Sequence, residues 1–145
     1  MAAFNKFDQF ANDVANKVHD LLGTAGAGAD VIKVMLTNVG PNQATNQVKA
    51  DIAEIGTGNG YTSGGFSVSN AGTKSGGVIT VVATSVVFAA SGGSIGPFRY
   101  AVFYNDTQAS PAKPLVGYVD YGLAVTLAAT ETFTVAFGAS LLTIS

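Results

Sequence analysis

The residues of this chain whose types could support chemistry are few: one histidine, a scatter of carboxylates and two glycine-rich runs. His19 stands alone, so a histidine-based triad or a multi-histidine metal site would have to be assembled around it. Its place in the last turn of an amphipathic segment points instead to an exposed cation that interacts favourably with a helix C-terminus. Gly92-Gly93-Ser94-Ile95-Gly96 matches the G-x-S-x-G elbow that presents a nucleophilic serine between a strand and a helix. Pro97 and an aromatic strand pattern come next in place of a helix, and the histidine precedes the serine, contrary to the hydrolase order. The expectation is a glycine-rich hairpin loop.

Gly56-Thr57-Gly58-Asn59-Gly60 has neither the Walker spacing nor the dinucleotide fingerprint, and reads as a turn. Asp51, Glu54, Asp106, Asp120 and Glu131 could supply a glycosidase pair only if two of them flanked a sugar cleft, and no tryptophan is present to stack on a sugar. Asn105-Asp106-Thr107 fits the N-glycosylation sequon, which acts only on a secretory route. Without cysteine there is no disulfide or thiolate chemistry. These readings predict no catalytic residue, no metal site and no cofactor.

Composition narrows the partners. Only 11% of the 145 residues are charged against 48% hydrophobic, where soluble domains average about 25% charged. Part of the surface is therefore expected to lie against another protein, since charge is depleted at interface centres. Seven Lys and Arg, spread singly from Lys6 to Lys113 with a net charge of −2, leave no basic patch in the sequence for phosphates, so nucleic acid is not an expected partner. The longest apolar stretch, 78–90, contains Thr and Ser and falls short of the ~20 residues that span a bilayer, so a membrane is not expected either. Residues 4–22 carry Asp8, Asp13 and Asp20 and lack the apolar run of a cleaved signal.

The elements that must position these residues are mostly strands. Phe4, Phe7, Phe10, Ala11, Val14, Val18, Leu21 and Leu22 fall within an arc of about 120° at helical spacing, which predicts an amphipathic helix over residues 1–22, capped by Asn5 and stopped at Gly23. Residues 23–29 read as a Gly/Ala-rich linker, so the helix is expected to act as an arm whose Phe4, Phe7, Phe10, Val14 and Val18 either enter a groove on a partner or pack on their own sandwich. Residues 30–145 read as a β domain. Strand patterns occupy 31–37, 66–69, 78–89, 98–104, 115–121, 123–127, 133–137 and 141–144, with one helical turn over 45–55 capped by Thr45. Short strands separated by Gly, Asn and Pro predict a mainly β fold, a jelly-roll-like β-sandwich preceded by one helix.

The order of these motifs carries a resemblance. Val31-Ile32-Lys33-Val34-Met35-Leu36-Thr37 is followed by Asp51-Ile52-Ala53-Glu54-Ile55 and Gly58-Asn59-Gly60-Tyr61-Thr62. Then come Ile95-Gly96-Pro97-Phe98-Arg99-Tyr100-Ala101-Val102-Phe103-Tyr104-Asn105-Asp106, Leu115-Val116-Gly117-Tyr118-Val119-Asp120-Tyr121 and Glu131-Thr132-Phe133-Thr134-Val135. Over nearly the whole chain this resembles small virion structural proteins of tailed phages and prophages, among them capsid cement and decoration proteins. The resemblance implies a β-sandwich that forms a small homo-oligomer, dimer or trimer, and clamps the major capsid protein from the capsid exterior after assembly in the host cytoplasm. A tail, baseplate or fibre component, or a receptor-contacting tip, is the alternative it leaves open; a cell-wall glycosidase, the third reading, rests on the carboxylates above and not on the resemblance.

Overall fold

The computed structural model describes residues 3–22, 29–136 and 140–145. Strands dominate it: β1 (Phe4–Lys6), β2 (Ile32–Thr37), β3 (Phe66–Ser67), β4 (Ala71–Ser75), β5 (Val78–Val82), β6 (Val86–Ala89), β7 (Ile95–Asn105), β8 (Leu115–Leu127), β9 (Thr132–Val135) and β10 (Leu142–Ile144). Among the described residues, one helix, α1 (Asp8–Ala15), and one 3-10 turn, Lys49–Asp51, accompany them.

Among the described residues three antiparallel sheets result. The largest has the order β1-β8-β7-β2-β3, the second β10-β5-β4, and the third pairs β6 with β9. The long β7–β8 pair forms the centre of the first sheet, because Phe98-Arg99-Tyr100-Ala101-Val102-Phe103-Tyr104 and Leu115-Val116-Gly117-Tyr118-Val119 put large apolar side chains on both faces. On one face, Val34, Phe103 and Val119 share a core with Val81 and Leu142 of the second sheet and Phe88 and Val135 of the third. On the other face, Met35, Val102, Tyr104 and Leu115 form a smaller cluster with Phe7. Three sheets around one shared core are consistent with a β-sandwich.

Several elements differ from those the sequence predicts. The apolar run 78–89 is two strands in two sheets, β5 pairing with β4 and β6 with β9, broken at 83–85. Residues 115–127 are one strand, with Gly122 carrying a positive φ of 84° inside it. β4 has no strand signal of its own, because Ala-Gly-Thr-Lys-Ser is polar and mostly exposed. It is specified by its turn, since Ser75 and Val78 close a two-residue hairpin over Gly76 and Gly77, whose φ values of 57° and 79° suit a type I′ turn. The turn expected over 45–55 is reduced to Lys49–Asp51, and Thr45 does not cap it. Asp51 folds back instead, its carboxylate accepting from the backbone N–H of Gln47 and Val48 at 2.8 and 3.1 Å.

The N-terminal segment is the largest correction. Residues 4–22 are not one helix: Phe4, Asn5 and Lys6 pair with Val119, Tyr118 and Gly117 as the edge strand β1. Phe7, in extended conformation, takes the cap position expected of Asn5. The helix is only eight residues long, and beyond it Lys17 adopts a φ of 61° while the N–H groups of Lys17 and Val18 bond the Val14 and Asp13 carbonyls at 3.2 and 2.8 Å. That is a Schellman closure with lysine in the left-handed position glycine usually takes. Gly23, Gly/Ala-rich residues 24–28 and Phe137 lie outside the described residues.

Candidate functional site

The residues expected to grip a partner are rooted in the body of the protein. Phe4 packs edge-on against Phe103 with ring centroids 5.4 Å apart, whereas Phe7 lies on the opposite face of the sheet, 5.3 Å from Tyr118. Three-residue spacing puts side chains together on a helix, but on extended chain it sends them to opposite faces. Phe7 and Phe10 are only 1% and 2% exposed, so they are core residues and not the tip of an arm; Val14 and Val18 are half-buried. Phe4, Phe7, Phe10 and Val14 still form part of the wall of a groove of about 670 Å³, which runs between β1, α1 and residues 143–145.

His19 overturns its expected role. Its imidazole is fully buried, beyond the end of α1, with its ring 5.0 Å from that of Phe10. Asn105, at the end of β7, orients it. The N–H of Thr107 donates to Asn105 Oδ1 at 3.0 Å, which leaves the two hydrogens of Nδ2 for Asp30 Oδ2 at 2.6 Å and His19 Nδ1 at 3.0 Å. Nδ1 therefore accepts, and the proton of the neutral ring sits on Nε2. Nε2 faces Asp13 Oδ2 at 3.9 Å, outside hydrogen-bond reach, and neither atom has another partner among the described residues. Burial pushes the histidine pKa below its ordinary value despite the nearby Asp13 and Asp30 carboxylates.

Asp30 is the hub of this node. Its Oδ2 also accepts from Gln108 Nε2 and the backbone N–H of Asp20, both at 2.9 Å. Burial alone would raise its pKa, but these bonds, with the one from Asn105, hold it below the ordinary carboxylate value. The node thereby fastens the stretch after α1 to the ends of β2 and β7. Asn105 is 0% exposed, so the sequon asparagine is a buried structural residue.

Glu54 is a second hub. Its Oε1 accepts from the Tyr61 hydroxyl at 2.7 Å and its Oε2 from Ser63 Oγ at 3.0 Å and Lys49 Nζ at 2.9 Å. The Gly64 N–H donates to it as well. Burial works against its charge, yet these donors hold its pKa below the ordinary value, and burial together with the Glu54 bond pushes the Tyr61 hydroxyl far above its own. Tyr61 in turn accepts from the Leu36 N–H at 3.0 Å, so this hub locks the 52–65 loop onto β2.

The remaining carboxylates that could have formed a hydrolytic pair are engaged one by one. Asp51 caps the 3-10 turn, Asp106 joins Lys33 and Lys113, Asp120 takes a two-pronged bond from Arg99 at 2.7 and 2.9 Å, and Glu131 accepts from the Ala128 N–H at 2.8 Å. Ser94 lies on the connection from β6 to β7, which cross between sheets; no hairpin joins them. Its carbonyl is held by Asn59 Nδ2 at 2.9 Å. Among the described residues no group of three His, Asp or Glu is placed to hold a metal, and no helix is long and apolar enough to cross a membrane. No protein-family model, curated protein or solved structure matches this chain.

Proposed function

We propose that this chain is a non-enzymatic virion structural protein of a tailed phage, a capsid cement or decoration protein that binds the assembled head shell and stabilises it. The observation that supports binding over hydrolysis is the engagement of Asp51, Glu54, Asp106, Asp120 and Glu131. Each spends its carboxylate on a separate fold-holding contact, in a protein that leaves Val39, Val87 and Leu123 at 61%, 52% and 77% exposure. A protein that binds only the assembled lattice shifts the equilibrium towards it by mass action. The shared core of three sheets agrees with a sandwich, and we assign it to the jelly-roll-like kind.

The test is cosedimentation of the purified chain with matching shells that lack it. Saturable binding that raises the temperature of shell disruption is the expected result. Absence of binding, with labelled protein found on tails, would assign it to the tail or baseplate instead. Turnover of cell-wall glycan that disappears in Asp or Glu variants would restore the glycosidase reading.

A further inference from the structure

Lys33, Lys49 and Lys113 are far apart in sequence and belong to three different places, strand β2, the 3-10 turn and the loop before β8. The fold brings them to one recess of about 340 Å³, shared with Ser63, Tyr104 and Asp106. Lys33 pairs with Asp106 at 3.1 Å, and Lys113 pairs with the same carboxylate. Lys49 pairs with Glu54 at 2.9 Å and stands 5.7 Å over the Tyr104 ring. Three ammonium groups against two carboxylates leave this place positive, while the chain as a whole carries −2. The three lysine side chains stay 24–47% exposed, and one ion pair apiece leaves further N–H donors on each.

We propose that this recess docks an acidic side chain, Asp or Glu, of the protein to which the chain binds; the identity of that partner as shell protein rests on the function proposed above. Charge complementarity carries the assignment. Asp106 already shows within the molecule that one carboxylate is held by Lys33 and Lys113 together, and Ala50, Gly64 and Ala112 make low walls that admit a second from outside. A single charge in excess suits a carboxylate and is too little for a phosphate backbone, which needs many neutralising contacts.

The direct test needs no shell. A hexaglutamate peptide is titrated into the isotopically labelled chain and followed by amide chemical shifts, with hexaglutamine as control. The expected result is saturable shifts confined to the surroundings of Lys33, Gly64, Asp106 and Lys113, with affinity weakened about tenfold in K33Q/K113Q and further reduced by salt. K33Q/D106N/K113Q removes the lysines without stranding Asp106, and keeps the result interpretable if the double variant unfolds. Shifts spread over the surface, or unchanged in the triple variant, would overturn the proposal. So would inorganic phosphate producing the same shifts at lower concentration than the peptide, which would make the recess a small-anion site. Localised peptide binding together with failure to bind shells would keep the acidic docking site and remove the shell as its partner.

Discussion

Asn105 donates both of its amide hydrogens and accepts through its oxygen within the node around it. That makes His19 a pH-dependent element of stability. Burial disfavours the charged ring and holds its pKa low in the folded state, and protonation would also put a hydrogen on Nδ1 opposite an Asn105 Nδ2 that has only hydrogens to offer. The unfolded chain titrates near the ordinary value of about 6.5. Because the unfolded state then binds more protons, the contribution of His19 is fully present above that value and is lost as pH falls through it towards the folded pKa. Urea denaturation at pH 7.5 and pH 5.5 should show the native chain weakening at the lower pH, and His19→Gln should flatten that difference. Asp30, Glu54 and Asp106, all held below the ordinary carboxylate value, contribute stability that is lost only at more acidic pH. Glu54→Ala removes four donors' common acceptor and leaves Lys49 without its ion pair, which should cost about 3 kcal/mol in the same denaturation measurement at neutral pH. None of this is legible in sequence, because residues 13, 19, 30 and 105 meet only through the topology, and the sequon points to the surface chemistry of an asparagine that is buried.

The β1–α1 segment shows how an element can be misread from a sound pattern. Phe4, Phe7 and Phe10 recur at helical spacing, but the edge of β8 offers backbone partners to residues 4–6, and pairing there outweighs continuation of the helix. Phe7→Ala should therefore cost about 3–5 kcal/mol in urea denaturation, because it empties a site among Met35, Val102, Tyr104 and Leu115. A free arm would show little change. β7 and β9 are legible because aromatic and β-branched residues fill them, whereas β4 is hidden by its polarity and announced only by Gly76-Gly77. Glycine itself divides into two kinds here. Gly65, with a φ of 70°, would place a Cβ 1.7 Å from the Val34 carbonyl, so Gly65→Ala should abolish folding at β2–β3. Gly76, with a φ of 57° and open space around it, should tolerate Gly76→Ala at about 1–2 kcal/mol. Thermal unfolding of the two variants side by side gives the comparison.

At the scale of the molecule, much of the little charge present is drawn into ion pairs at or near the surface: Arg99 with Asp120, Lys33 and Lys113 with Asp106, Lys49 with Glu54. Beside these pairs, Val39, Val87 and Leu123 stand more than half exposed. The mainly β class is legible from strand and turn residues alone, but the pairing of strands into three sheets is not, because register between distant segments leaves no local trace. The proposed role makes a quantitative demand on the virion. The most direct measurement is the number of copies of this protein in purified virions relative to the major capsid protein. A ratio close to a simple stoichiometric fraction of the shell is the predicted result; a trace amount, or none, would contradict a shell-binding role.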